Sequence, residues 1–209
     1  MAPTRASRNA SYEQRSMESR QRILDAAVQS LVEDGYAGAS TVRIQKLAGV
    51  SRGRLLHHFP SRDELLVAAV HHLATVRMAE LRSQSADSLT AAYDDPDRID
   101  QAVARMWATF HQPFFWASTE LWIAARNNHS LRSALRMSER RLAQSIHNTL
   151  DVLFGPVLAA RPHYAQTISM LMASMRGAAL TYAFDQRRPD RDPHLSQWKE
   201  IARALLAGS

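Results

Sequence analysis

The sequence predicts an all-α protein of about nine helices, and three observations carry that prediction. Apolar residues recur at helical spacing in nearly every long segment, as Leu24, Ala27, Val28 and Leu31 do at i, i+3, i+4 and i+7. The breaks between segments hold capping residues: Ser40 or Thr41, Ser51, Ser61, Asp95 and Asp192 each precede a helical run. No stretch alternates convincingly with the period of a strand, and no internal repeat is present.

The elements follow in order. The first helix spans roughly Met17–Asp34 and stops at Gly35, which suits the C-terminal position where a left-handed backbone is needed. A short second helix runs to about Ala48, and Gly49-Val50-Ser51 forms a turn. The third helix ends near Phe59, closed by Pro60. Ser61-Arg62-Asp63-Glu64 is a capping box that opens a fourth helix, whose apolar face is Leu66, Ala69, Val70, Leu73 and Val76. Ser83–Asp95 reads as a loop or frayed helix end. Asp95-Pro96 and Gln112-Pro113 start the fifth and sixth helices, and Asn127-Asn128 breaks the sixth. A long seventh helix covers about Ser130–Phe154 and stops at Gly155-Pro156. Pro162 opens the eighth and Asp192-Pro193 the ninth.

Composition narrows the function classes. The 209 residues, 45% hydrophobic and 22% charged, suit an ordinary globular chain with a proper core. With no cysteine, disulfides and thiol chemistry are excluded, which fits a reducing cytoplasm. Ala102–Ala125 is broken by Arg105, His111, Gln112, Pro113 and Glu120, so it is no membrane span. Met1–Ser16 lacks the apolar core of a secretory signal. A cytoplasmic location is therefore expected. Residues 1–62 hold ten Lys/Arg against five Asp/Glu, while the remainder holds sixteen against fifteen. Ser40–Arg62 has five basic residues, Arg43, Lys46, Arg52, Arg54 and Arg62, and no acid, the electrostatic footprint of a phosphate backbone.

That same stretch meets the demands of a helix-turn-helix. Gly49 can take the positive φ of the turn. Ile44, Ala48, Val50, Leu55 and Phe59 can hold the second helix against the first, leaving Arg52, Arg54, His57 and His58 on the outer face. The run Ser40-Thr41-Val42-Arg43-Ile44, Ala48-Gly49-Val50-Ser51-Arg52-Gly53, Leu55 and His57-His58-Phe59-Pro60-Ser61-Arg62-Asp63-Glu64-Leu65-Leu66 resembles the TetR family of transcriptional regulators, with the match covering Arg20–Leu73. Three positions depart from the family pattern. Leu56 stands where most members carry a phosphate-contacting Tyr, Gln45 where a small Ala is usual, and Leu47 where a charged residue is usual.

The resemblance implies a flexible arm over 1–16, a DNA-binding domain over 17–64, and an effector-binding and dimerisation domain over 65–209. Arg52 and Arg54 are expected at bases or phosphates, since Arg can bridge guanine O6 and N7. Gly53 would let the backbone approach closely. Thr41, His58 and Arg62 would hold phosphates, with Arg43 and His57 on the same basic surface. The operator would be duplex DNA, palindromic for a homodimer formed through the last two helices.

Six of the fifteen aromatics fall within 107–122. Trp107, Phe110, His111, Phe114, Phe115, Ser118, Trp122 and Arg126 could line one pocket for a hydrophobic or aromatic effector, if the fifth and sixth helices run on past Pro113. Effector binding would then move the fourth helix and release DNA, and repression is the mode the resemblance implies. No cofactor, metal site or catalytic motif is expected: the pairs His57-His58 and His71-His72 diverge by about 100° on a helix and cannot clamp one ion. The competing reading is a ligand-sensing or partner-binding helical module with weak or lost DNA binding, suggested by Leu56 and Gln45.

Overall fold

The computed structural model describes residues 5–88, 91–92, 95–185 and 187–206, and every regular element among them is helical. The order is α1 (Arg5–Gly38), α2 (Thr41–Ala48), α3 (Arg52–His58), α4 (Arg62–Ser88), α5 (Pro96–Thr109), α6 (Pro113–Ala125), α7 (His129–Phe154), α8 (Pro156–Ala159), α9 (Tyr164–Thr181) and α10 (Pro193–Leu206), with a 3₁₀ turn at Pro189–Arg191.

The capping residues behave as the sequence implies. Ser40 Oγ accepts from Arg43 N and Ser51 Oγ from Arg54 N, both at 3.2 Å. Ser61 Oγ accepts from Glu64 N, Asp95 from Asp97 N, and Asp192 from His194 N. Asn128 goes further than breaking a helix, because its Oδ1 accepts from Leu131 N and so caps α7.

Several expectations change. Residues 5–16 are helical and continuous with the first helix, where a flexible arm was expected; residues 1–4 of that arm lie outside the described residues. Arg5–Ser16 has no Gly or Pro, and extending an existing helix needs no new nucleus. Gly35 does interrupt α1, at φ 65°. α4 continues to Ser88, well into the expected loop, while 89–90 and 93–94 lie outside the described residues. Gly155, at φ 88°, and Pro156 start the single turn α8, and α9 then begins at Tyr164 and not at Pro162.

The chain divides into two compact units, Met1–Thr75 with Trp116–Leu142 and Val76–Phe115 with Ala143–Ser209. The boundary drawn at residue 64 thus gives way to one inside α4, and α6 clusters with the N-terminal unit. The N-terminal unit buries an aliphatic core that includes Ile23, Leu24, Leu31, Ile44, Leu55, Leu65, Leu66, Leu121 and Leu131. The second unit centres on Trp107, whose ring lies 4.7 Å from Trp198, 5.8 Å from Tyr182 and 6.1 Å from Phe110 between centroids. Its indole donates to Pro189 O at 3.0 Å. Buried Arg98 donates to Leu153 O, Val152 O and Ala91 O, placing its charge at the carbonyl end of α7.

Candidate nucleic-acid interface

The helix-turn-helix is built from α2 and α3. Gly49 sits at φ 61°, ψ 40°, and the backbone closes a Schellman motif: Gly49 N donates to Lys46 O and Val50 N to Gln45 O, each at 3.3 Å. Ile44, Ala48, Leu55 and Phe59 are buried, and Val50 packs against them. The apolar set read from the sequence therefore holds α3 in place.

The eight expected DNA-contacting residues fall into two groups. Arg52, Gly53 and His57 are exposed on α3, and Thr41 is half-exposed at the start of α2. The side chain of Arg52 makes no hydrogen bond or ion pair among the described residues, and the same holds for the side chain of exposed Lys46 on α2, which the sequence does not single out. No chain atom lies within 4 Å of where a Cβ on Gly53 would stand, and its φ is not positive. The fold thus makes no demand for glycine there.

The other four are engaged within the protein. Arg54 Nε donates to Ser19 Oγ at 3.0 Å and its Nη2 to Arg15 O at 3.2 Å, tying α3 to α1. His58 Nε2 lies 2.9 Å from the same Ser19 Oγ, and burial, then the Arg54 charge, pushes its pKa below the ordinary imidazole value. Arg43 pairs with Glu33 at 2.8 Å and with Asp34. Arg62 donates to Ala39 O at 2.8 Å and to Tyr36 O, with its guanidinium 4.2 Å from the Tyr36 ring centroid. Arg62, His58 and Arg54, expected at phosphates or bases, thus also clamp α3 and the start of α4 to the rest of the unit. Periodicity could not reveal this, because the partners Ser19, Arg15, Tyr36 and Ala39 come from α1 and the segment after it.

A polar knot missed in the sequence braces the same unit. Tyr36 Oη donates to Asp63 Oδ1 at 2.9 Å, and Asn128 Nδ2 donates to Tyr36 Oη at 3.0 Å and to Asp63 Oδ2 at 3.2 Å. Tyr36 N donates to Glu120 Oε2 at 3.0 Å. Burial, reinforced by Asp63, pushes the Tyr36 hydroxyl pKa up, so it stays a donor.

The expected effector constellation divides between the units. Trp107, Phe110, His111, Phe114 and Phe115 lie in the second unit, and Ser118, Trp122 and Arg126 in the first. Trp107, Phe110 and Phe115 are core, at most 4% exposed. Trp122 is committed to Glu139, 3.0 Å away. α5 ends before Pro113 in tight turns, with Phe110 N bonded to Trp107 O and His111 N to Ala108 O, so α5 and α6 do not run on as one helix. Phe114 does line a cavity of about 240 Å³ with Arg77, Met78, Arg105 and Thr109. Burial lowers the pKa of His111, keeping it neutral at pH 7.

An all-helical chain with a capped helix-turn-helix and an exposed basic reading helix is a DNA-binding transcriptional regulator. Residues 23–69 match the family model described as bacterial regulatory proteins, tetR family. The chain is 28% identical over 195 residues to the HTH-type transcriptional regulator CymR of Pseudomonas putida, covering 93% of this chain and 94% of that one. It is 36% identical over 90 residues to the HTH-type transcriptional repressor AcnR of Corynebacterium glutamicum, covering 42% and 47%. Among solved structures, the multidrug binding protein EbrR complexed with ethidium shares the fold at TM-score 0.64 and 24% identity, over 90% of this chain and 98% of that one. Among the described residues no helix is long and apolar enough to cross a membrane.

Proposed function

We propose that this regulator is a cytoplasmic homodimeric repressor that reads a palindromic operator with α3 and is released by a small hydrophobic effector. The observation that carries the reading is the outer face of α3, where Arg52, Gly53 and His57 stand exposed. Arg52 reads a base edge or phosphate, Gly53 admits the DNA backbone closely, and Thr41, Lys46 and His57 contact phosphates. Exposed Val42 and Leu56 offer apolar contact to thymine methyls or sugars.

Dimerisation through α9 and α10 is supported by side chains those helices leave uncovered. Met170 and Leu180 on α9 and Ile201 and Leu205 on α10 are each about 40–50% exposed. A two-fold dimer would set its reading helices about 34–36 Å apart. The repressor name of AcnR and the complex of EbrR with ethidium support this reading. The effector must favour the DNA-incompetent state, with coupling of about 1–3 kcal/mol. α4 begins in the first unit and ends in the second, and so is the element on which both sites act.

The test is a fluorescence-anisotropy titration with DNA from the region upstream of the protein's own gene. Arg52→Ala should weaken specific binding by about 1–3 kcal/mol. Unchanged affinity removes Arg52 from the site. No binding by the unsubstituted protein favours the second reading, a helical sensing module with lost DNA binding, for which Leu56 in place of a phosphate-contacting Tyr is the specific observation.

A further inference from the structure

A second cavity lies within the N-terminal unit, formed by α1, α4 and the first half of α7, with a volume of about 650 Å³. That is within the range of small-molecule sites. Its lining divides by chemistry. One part is apolar: Val67 and Ala68 on α4, and Ala134 and Met137 on α7. Met137 is 60% exposed, an apolar side chain left largely uncovered among the described residues. The other part is cationic: Arg20 from α1 and Arg141 from α7. The side chain of Arg141 makes no hydrogen bond or ion pair among the described residues, and Arg20 leans its guanidinium over Phe59 at 5.4 Å. The carboxylate of Glu64 also borders the cavity, so two guanidinium groups face one acid.

The imidazoles add directed polar groups. His72 Nε2 accepts from Gln21 Nε2 at 2.8 Å, which fixes it as an acceptor there and leaves Nδ1–H as its donor. His71 stands between Arg141 and Glu139 in the charge it feels, and burial, with Arg141, keeps it neutral at pH 7. A neutral imidazole can donate to an anion without adding charge.

We propose that this cavity binds an amphipathic organic acid, its carboxylate held by Arg141 and Arg20 and its apolar body laid on Val67, Ala134 and Met137. The proposal is independent of the DNA-reading surface and of the aromatic segment. It gives the unit that carries the helix-turn-helix a ligand site of its own, in contact with α1 and α4.

Isothermal titration of the full chain with sodium octanoate, without DNA, tests it. The expected result is one octanoate per chain. Arg141→Met should weaken binding at least about tenfold, as expected for the loss of a charged hydrogen bond. Ala134→Phe, which fills the cavity from a partly exposed position, should abolish it, and 1-octanol should bind at least about tenfold more weakly than octanoate. Circular dichroism on each variant separates lost binding from lost folding. The proposal is overturned if octanoate fails to bind the unsubstituted protein, if it binds folded Arg141→Met and Ala134→Phe proteins as before, or if octanol binds equally well.

Discussion

The two units are stabilised differently. The N-terminal unit packs Ile, Leu, Val and Ala, with Phe59 as its buried aromatic among the core residues, and adds polar clamps at the helix ends. The second unit packs rings: Trp107, Phe110, Phe115, Phe154, Tyr164, Tyr182 and Trp198 are all buried. A helix-turn-helix needs its short helices close together, so small and aliphatic residues fill the gap and backbone carbonyls are within reach of Arg62 and Arg54. The second unit fills the gaps between its helices with aromatic side chains, at a cost in tolerance: one lost ring leaves a large void.

The contrast can be broken most sharply at Trp107. Trp107→Ala should cost about 3–5 kcal/mol by urea denaturation, since its neighbouring rings cannot collapse onto the space. Arg62→Ala comes next, at about 1.5–3 kcal/mol, because it strips charged donors from Ala39 O and Tyr36 O. A purely phosphate-binding Arg62 would leave stability unchanged and lower DNA affinity alone, so both quantities should be measured. Gly49→Ala should cost about 1–2 kcal/mol for its left-handed backbone, while Gly53→Ala should leave the melting temperature unchanged or slightly raised and weaken DNA binding. Equal losses of stability at the two glycines would contradict the open surface described for α3.

The smallest expected effect is acid loosening. His58 and His71 in the first unit and His111 in the second all have native pKa values below the ordinary imidazole value, with burial as the leading cause. The unfolded chain therefore binds more protons below about pH 6.5. Their stabilising contribution is complete above that pH and is lost as the pH falls toward the depressed native values. Melting temperature should drop between pH 7.5 and 5, and His58→Gln should flatten part of that slope.

Much of the N-terminal unit was legible in the sequence. Ser40, Gly49 and Ser51 act through neighbours two to four residues away, and the apolar spacing of Ile44, Ala48, Leu55 and Phe59 locates the buried face. The aromatic segment was legible as composition but not as geometry. Whether Trp107 lines a pocket or fills a core depends on Tyr182 and Trp198, dozens of residues away.

By itself, then, the sequence determined the helical class, the caps, the turn at Gly49 and the basic character of Ser40–Arg62, because those rest on local backbone chemistry and on charge, which does not depend on partners. Only the tertiary structure decided which cations remain available. Arg52 and Lys46 are exposed without side-chain partners among the described residues, while Arg54 and Arg62 are held by Ser19 and by the carbonyls of Tyr36 and Ala39, and Arg43 is paired with Glu33 at the surface. A long side chain takes the partner that the fold brings within reach, and spacing along the chain does not encode that distance.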